Sequence, residues 1–335
     1  MCYATSNGFC LWQKRTGGSI VQIQTVALIG AGAIGAYFIP GLAHTLGEDF
    51  CVIAEGTRKE RLEQEGMCIN GVQTFFSVKT PEEAGQPDLV LIATKYGALE
   101  EIRETVRSLT GPLTTVISTL NGIDSEEILA GTIGWEPIVY GFMRVSAVRT
   151  GNVVTYGNNN RGLYFGETDG RLSPRILAIG DLLTKAEIPY VVSEDIIKDQ
   201  WFKYACNIAE NQCQAVLGVP FGSFRDHPHV NFVRLHLMQE CLNVAEAKGI
   251  HIPDSELVRQ EETLKTVPYL NKTSMLQDIE QGRTTEVEML SGTLIRIAKE
   301  VQVPVPYNEL IYHAIRAIED RNAGAFDTDP DVCRQ

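Results

Sequence analysis

The sequence has no CxxC pair. Its eight cysteines stand singly at positions 2, 10, 51, 68, 206, 213, 241 and 333, several of them in apolar runs. Single cysteines in apolar runs behave as small buried hydrophobes. This spacing excludes a zinc knuckle and gives no disulfide framework, so no metal is expected and a reduced, cytoplasmic setting is. No stretch approaches the ~18 consecutive apolar residues that a membrane helix needs. Residues 1–23 contain Trp12, Lys14, Arg15 and Gly17-Gly18 but no continuous apolar core. They are therefore read as a poorly ordered extension and not as a secretory signal. Basic residues are in deficit, with 29 Lys and Arg against 42 Asp and Glu and a net charge of −13. Such a chain repels the nucleic-acid backbone. Isolated Lys and Arg beside motifs become informative for the same reason. There is no internal repeat and no collagen-like or disorder-prone bias.

What is present is enough for two domains, since the chain has 335 residues, 44% of them hydrophobic. Residues 25–29, 50–54, 88–94 and 114–120 read as short buried strands, with helical patterns at 34–46 and 58–65. Apolar strands alternating with helices predict a parallel sheet with right-handed crossovers. From about 138 to 165 the pattern changes to short β segments with Gly and Asn turns, such as Tyr156-Gly157-Asn158. After Ile196 the strands stop. Amphipathic helices are expected at 196–217, 229–248, 254–265, 271–281, 284–301 and 306–321, punctuated by Pro253, Pro268, Pro304 and Pro306. The expected organisation is an extension over 1–23, a dinucleotide-binding domain over 24–194 and a helical domain over 195–335, with a frayed tail from Asp327.

The first strand runs into Gly30-Ala31-Gly32-Ala33-Ile34-Gly35, which opens a helix. A GxGxxG in this context is a dinucleotide fingerprint: Gly30 permits the tight turn, Gly32 lets backbone approach a pyrophosphate, and Gly35 lets helix pack on strand. The alternative is a tight strand–helix turn without a ligand. Glu55 closes the second strand, where an acid hydrogen-bonds the ribose 2′-hydroxyl and favours NAD. Arg58 and Lys59 follow within four residues and could meet the 2′-phosphate of NADP, or could be the solvated first turn of the next helix. Lys95 and Asn121 each follow a strand, at the edge where doubly wound sheets bind ligands. Capping of those loops is the competing role.

In the helical half, Lys203, Asn207 and Asn211 recur at i, i+4 and i+8, flanked by Trp201, Phe202, Ala205, Ile208 and Ala209. Asn is a poor helix former, so the stripe reads as a polar site against the alternative of a solvated face. Further on, Ser274-Met-Leu-Gln-Asp278 precedes Gly282-Arg-Thr-Thr-Glu286. Thr284 or Thr285 can cap a helix whose first turn carries Glu286, so Glu286 has a helix-start role available and Ser274 a capping one.

Taken together and in this order, the fingerprint, Lys95, Asn121-Gly122, the Lys203/Asn207/Asn211 stripe, and Ser274 to Asp278 with Glu286 and Gly292 resemble the ketopantoate reductase (2-dehydropantoate 2-reductase) family from about residue 25 to 322. The resemblance implies an α/β fold, a Rossmann-type doubly wound parallel sheet followed by an all-α C-terminal domain like that of 6-phosphogluconate dehydrogenase. It also implies that Lys203 is the catalytic lysine and that Glu286 holds a substrate hydroxyl. Asn207, Asn211 and Ser274 are then substrate contacts, while Lys95, Asn121 and Ala147 join the fingerprint, Glu55 and Arg58 as cofactor contacts. The family usually has Arg where this chain has Glu55, and that Arg holds the 2′-phosphate of NADPH. The family's usage favours NADP(H), while Glu55 in place of that Arg keeps NAD(H) admissible.

Reducing a 2-oxo acid requires hydride at C2 and a proton at the forming alkoxide, and a lysine among apolar groups can supply the proton. The expected partner is a small 2-oxo acid; a homodimer is compatible, nucleic acid and membrane are not expected. Two rivals stand beside this reading. One is a reductase of the same architecture acting on another 2-oxo or 3-hydroxy acid. The other is a regulatory protein that senses NAD(P)H without turnover, for which Lys203 and Glu286 together would have no use.

Overall fold

A computed structural model describes residues 22–157 and 160–326. All but the last two residues of the expected extension, the tail from Asp327, and Asn158 of the expected turn lie outside the described residues. The chain divides into two compact units. The first takes residues up to Leu120 and Asp124–Ile197; the second takes Asn121–Ile123 and everything from Lys198.

In the first unit the order is β1 (Val26–Ile29), α1 (Gly35–Leu46), β2 (Phe50–Ile53), α2 (Gly56–Glu65), β3 (Met67–Ile69), β4 (Val72–Thr74) and β5 (Ser77–Lys79). Then come α3 (Pro81–Ala84), β6 (Leu89–Ile92), α4 (Arg103–Leu109), β7 (Thr115–Ser118), α5 (Ser125–Ile133), β8 (Ile138–Arg144), β9 (Ala147–Thr150), β10 (Val153–Tyr156), β11 (Gly162–Gly166), α6 (Pro174–Lys185) and β12 (Tyr190–Val192). Among the described residues, eight strands form one sheet in the order β12-β11-β8-β7-β6-β1-β2-β5.

Every residue of β1, β2, β6 and β7 is buried. Strand side chains alternate between faces, and helices cover both faces here, so both faces of these strands are buried. Val26, Leu28, Phe50, Val52, Leu89 and Leu91 pack with Phe38, Ile39 and Leu42 of α1 and with Ile176, Ile179 and Leu183 of α6. Their neighbours Ala27, Ile29, Cys51, Ile53, Val90 and Ile92 pack on the other face with Val106 and Leu109 of α4 and Leu129 of α5. Full burial of a Leu, Ile or Phe side chain stabilises by about 1.5–3 kcal/mol, so these two layers dominate this unit's stability.

The register puts Ile29 level with Ile53 and Ile92, and Ile92 level with Ser118. The carboxyl ends of β1, β2, β6 and β7 are thus aligned, and the order of successive strands reverses at β1, with β2 on one side and β6 on the other. That is the switch point at which open α/β sheets bind ligands.

The doubly wound sheet carries one antiparallel pairing, β11 against β8. Among the described residues no helix intervenes between these two strands. The chain instead leaves through β9 and β10 and returns, and an antiparallel neighbour needs no helical crossover. Strands β9 and β10 join the β3–β4 hairpin in a second sheet ordered β4-β3-β10-β9. The hairpin turns at Asn70-Gly71, both at positive φ of 48° and 81°, the conformation that a two-residue hairpin loop requires.

The second unit is helical: α7 (Ile196–Leu217), α8 (Ser223–Asp226), α9 (Pro228–Ala247), α10 (Asp254–Thr266), α11 (Ser274–Glu280), a π-helical turn (Glu288–Gly292), α12 (Thr293–Glu300) and α13 (Pro306–Asn322). The helix expected over 284–301 is therefore broken at its start. The Gly292 N–H donates to the carbonyl of Val287, five residues back, at 3.1 Å. The Tyr204 hydroxyl, fully buried on α7, donates to the Leu290 carbonyl at 2.5 Å inside that turn. A tyrosine from another helix thus takes a carbonyl that a regular helix shares only with its own backbone.

The five described cysteines are free thiols, and all but Cys68 are buried. Burial pushes the Cys213 thiol up to about 12 and that of Cys51 up to about 11. Among the described residues no group of three or more His, Cys, Asp or Glu could hold a metal ion. No helix of the described residues is long and apolar enough to cross a membrane.

Candidate active site

The sequence-derived residues fall into two groups, one in each unit. In the first unit, Gly30 follows β1 with φ +101°, and a Cβ there would lie 2.7 Å from the Ala93 carbonyl oxygen and 2.9 Å from the Thr94 nitrogen. A Cβ on Gly35 would lie 1.9 Å from the Gly30 oxygen. The protein's own packing demands both glycines. Gly32 differs: its Cβ would meet only the Ala93 oxygen, at 3.8 Å, which is ordinary contact. Nothing in the described protein requires position 32 to be glycine, whereas a pyrophosphate against the backbone would.

Two further observations agree. Helix α1 begins behind Ile34 with no side-chain cap, so its N-terminus keeps N–H groups for an anion. Beside the loop, Thr94 Oγ1 is buried without a hydrogen-bond partner, a state that native proteins rarely leave uncompensated. The residues present therefore fit a dinucleotide, held by Gly30, Ala31, Gly32, Ala33, Ile34 and Gly35.

Glu55 is exposed in the extended residue between β2 and α2, and Arg58 is exposed in the first turn of α2. Lys59, weighed with Arg58 as a phosphate contact, is engaged elsewhere. Its amine donates to Glu63 at 2.6 Å and to the Val78 carbonyl at 3.2 Å, and lies 3.3 Å from Glu83. Lys95 is exposed at the start of a short 3₁₀ turn, which it does not cap through its side chain. Ala147 opens β9 opposite Tyr156 and packs against the core. Sequence reasoning missed Arg149, two residues on, whose Nη1 donates to the Ala31 carbonyl of the fingerprint at 2.8 Å.

In the second unit, Lys203, Asn207 and Asn211 follow one another along α7. Lys203 is 9% exposed and the two asparagines are half-buried, so the stripe is not a solvated face. Lys203 Nζ donates to Asn121 Oδ1 at 2.7 Å, and Asn121 Nδ2 reaches Glu286 Oε2 at 3.4 Å. A lysine only donates and an ionised carboxylate only accepts, so one amide oriented this way serves both. Asn121 thereby links the expected proton donor to the expected substrate-holding acid.

Lys203, Glu286 and Ser274 are each held from behind. Tyr204, next to Lys203, ties α7 to the π turn through Leu290. Thr285 donates both its N–H and its hydroxyl to Glu319 Oε1, at 2.6 and 2.7 Å, and its hydroxyl accepts from the Val287 N–H at 3.2 Å. Glu286 sits between these anchors, and its carbonyl accepts the Leu290 N–H at 3.0 Å. The Thr273 side chain caps α11, and its N–H donates to Gln214 of α7 at 2.8 Å, fixing where Ser274 begins the helix.

Asn121, Asn211, Ser274 and Glu286 line one crevice together with Asp278 and the apolar side chains of Met275, Met289 and Leu290. Asn207 is not among its lining residues; it occupies the turn of α7 between Lys203 and Asn211. Asp278, which the sequence singled out only as part of a motif, accepts from Arg283 Nε at 2.7 Å. The crevice thus offers amide and hydroxyl donors, a carboxylate and an apolar wall, with an amine one amide away. Such a set can bind a small carboxylic acid carrying a hydroxyl and protonate an oxygen.

Residues 26–170 match the family model described as "Ketopantoate reductase PanE/ApbA", and residues 195–319 match "Ketopantoate reductase PanE/ApbA C terminal". The chain is 28% identical over 306 residues to the 2-dehydropantoate 2-reductase of Pyrococcus horikoshii, covering 90% of this chain and 99% of that one. Its fold is similar to that of D-mandelate dehydrogenase solved with NADH and anilino(oxo)acetate, with TM-score 0.81, 22% identity, and 89% and 99% of the two chains covered. It is also similar to a dimeric ketopantoate reductase from Staphylococcus aureus, with TM-score 0.76, 22% identity and the same coverage. With both family models matched in order on the two units, the chain belongs to the ketopantoate reductase family of NAD(P)-dependent oxidoreductases.

Proposed function

We propose that this chain reduces ketopantoate to pantoate, a step of pantothenate biosynthesis, and favours NADPH over NADH. The observation that carries the reading is the Lys203–Asn121–Glu286 chain of hydrogen bonds, with Asn121 and Glu286 in one crevice with Ser274 and Asn211. Residues 24–194 serve as the nucleotide domain and 195–335 as the substrate and catalytic domain. The bound nicotinamide supplies the hydride that C2 of the 2-oxo acid accepts.

Everything else falls to the protein. Lys203 gives the proton that converts the developing alkoxide into a hydroxyl, and regains one from solvent. Asn121 fixes the Lys203 nitrogen by accepting one of its hydrogens. Glu286 accepts a hydrogen bond from the substrate's hydroxyl. Ser274, Asn207 and Asn211 hold the carboxylate through neutral donors, which bind it without competing with Lys203 as a charge. Met275, Met289 and Leu290 pack the apolar branch of the substrate. Gly30 to Gly35, Glu55, Arg58, Lys95, Asn121 and Ala147 hold the nucleotide. The enzyme acts in the cytoplasm, and the dimeric Staphylococcus aureus relative supports a homodimer.

The fold shared with D-mandelate dehydrogenase favours one second reading, a reductase of another 2-oxo acid. A panel of 2-oxo acids, each assayed with NADPH and NADH, decides between them. Ketopantoate is expected to give the highest kcat/KM; a preference of tenfold or more for an aryl 2-oxo acid would replace it, and binding without turnover would leave a sensor.

Two variants test the roles assigned here. Glu286→Gln should raise KM for ketopantoate about tenfold or more with a smaller loss in kcat, because a charged acceptor is exchanged for a neutral one. Equal loss in kcat with unchanged KM would move Glu286 into the proton-transfer step. Glu55→Arg should raise the NADPH-to-NADH ratio of kcat/KM about tenfold, by replacing repulsion of a 2′-phosphate with attraction. An unchanged ratio would remove Glu55 from the ribose.

A further inference from the structure

We infer that Glu319, in the last turn of α13, is a positioning residue for the reduction: it holds the backbone that presents Glu286, while Asn322, three residues further on, holds the end of α11. This rests on the reading of Glu286 as the acid that accepts the substrate's hydroxyl, and it extends the substrate machinery to the C-terminal helix.

Residues 281–287 link α11 to the π turn and lie outside helix and strand. Such a link has no ladder of its own, so its shape is set by the groups that reach it. Glu319 Oε1 accepts both the N–H and the hydroxyl of Thr285, at 2.6 and 2.7 Å. The same hydroxyl accepts the Val287 N–H at 3.2 Å. Thr285 and Val287 are both buried. The backbone is thus held immediately before and immediately after Glu286.

The chemistry of Glu319 suits this task and is not explained by its own helix. An acid in the last turn of a helix faces the negative end of the macrodipole, which disfavours it. Its side chain is nevertheless only 10% exposed. Its second oxygen accepts from Arg316 Nη1 at 2.8 Å, so both oxygens are engaged. Hydrogen bonds to an ionised acceptor are roughly twice as strong as those between neutral groups.

The second grip lies on the same face of α13, since residues three apart are neighbours on a helix surface. Asn322 Nδ2 donates to the Ile279 carbonyl at 3.0 Å, an oxygen that also accepts the Gly282 N–H at 3.1 Å. Ile279 is in the last turn of α11, the helix that Ser274 begins. One face of α13 therefore holds the chain at Ile279 and again at Thr285. That span separates the helix of Ser274 from Glu286, and both residues line the crevice. Freed from Glu319, Glu286 would lose its set distance from Ser274.

The test is steady-state kinetics on the full-length protein with NADPH and ketopantoate. Wild type, Glu319→Ala, Glu319→Gln, Glu286→Ala and Glu286→Ala/Glu319→Ala are compared. Misplacing a binding group by about 1 Å can cost up to about 10²-fold. Glu319→Ala should raise KM for ketopantoate about tenfold, with a smaller change in kcat, and by no more than Glu286→Ala does. Glu319→Gln should recover part of the loss, because its amide oxygen can still accept from Thr285. In the Glu286→Ala background, Glu319→Ala should change KM by less than about twofold, since the group it positions is gone. Hydrogen exchange gives a readout without turnover: the Thr285 and Val287 amides should exchange at least about tenfold faster in Glu319→Ala, with those of α7 unchanged.

The same fold-rise in KM with and without Glu286 overturns the proposal, because a general packing role predicts additivity. So does an unchanged KM, or unchanged exchange, in a folded Glu319→Ala protein. Should that variant fail to fold, Thr285→Val decides, since it keeps the shape and drops the hydroxyl: KM should rise about threefold or more, and an unchanged KM overturns the proposal. A wild type that turns over no 2-oxo acid removes the functional reading instead, and exchange alone then decides whether Glu319 holds the Glu286 backbone.

Discussion

Lys203→Ala is expected to reduce kcat for ketopantoate by about 10²–10⁴, the usual contribution of a positioned general acid. Nucleotide affinity should stay within about threefold, because Lys203 is not itself assigned to the nucleotide and Asn121, which accepts its hydrogen bond, is one of many residues that are. The size of the effect follows from how Lys203 is held. Its side chain is 9% exposed and its amine is fixed 2.7 Å from Asn121 Oδ1. Water reaching the space left by the substitution would lack both the fixed position and the charge. Lys203→Arg should also be slow, since guanidinium scarcely releases a proton and its planar fork cannot reproduce the amine's position. Steady-state rates at saturating nucleotide and ketopantoate, on variants whose folding is checked by circular dichroism, measure this. A Lys203→Ala enzyme retaining more than about a tenth of wild-type kcat would mean that the proton comes from elsewhere.

The second large effect is expected at Gly32. Gly32→Asp should abolish measurable nucleotide binding, a loss of 100-fold or more, by filling the space that a pyrophosphate needs and adding a like charge. The fold should survive it, because a Cβ at position 32 makes only ordinary contact with the Ala93 oxygen. Gly35→Ala is the contrasting variant. Its Cβ would fall 1.9 Å from the Gly30 oxygen, so helix α1 must move off β1 and stability should drop by about 1–3 kcal/mol or more. Calorimetry and thermal unfolding on the two variants separate ligand demand from packing demand. Unchanged NADPH and NADH affinity in a folded Gly32→Asp protein would refute the fingerprint reading.

These two sites also mark what was legible in the sequence. Strands β1, β2, β6 and β7 were readable to within two residues, because their apolar runs have strand length, end at glycine or polar residues and are too short for a buried helix. Helical periodicity gave α7, α9, α10 and α13. The β3–β4 hairpin was overlooked, although Asn70-Gly71 between two short β-prone runs is a strong local signal. The antiparallel β11 and the π turn were not readable, since strand direction and the Tyr204 contact depend on residues far away in sequence.

The site shows the same division. The stripe at 203, 207 and 211 could be placed on one helix face from spacing alone. The Lys203–Asn121 hydrogen bond joins residues 82 apart, and no local pattern announces it; Asn121 had been assigned to the cofactor alone. Lys59 was weighed as a phosphate contact although Glu63 lies four residues later, the spacing at which a helix pairs opposite charges. Arg149 gave no local signal, because a lone arginine in a half-exposed strand is ordinary. Only the tertiary structure brings it to the Ala31 carbonyl.

The central claim is that this chain transfers hydride to C2 of ketopantoate and that the protein supplies the proton. The most direct measurement is mass-spectrometric and NMR analysis of the product formed from ketopantoate with NADPH deuterated at nicotinamide C4, on both faces in turn, in ordinary water. The account predicts pantoate carrying one deuterium at C2 from one of the two deuterated cofactors, formed mole for mole with NADPH consumed and at least about 100-fold slower with Lys203→Ala. NADPH that binds but is never consumed, or pantoate without deuterium from either form, would contradict it.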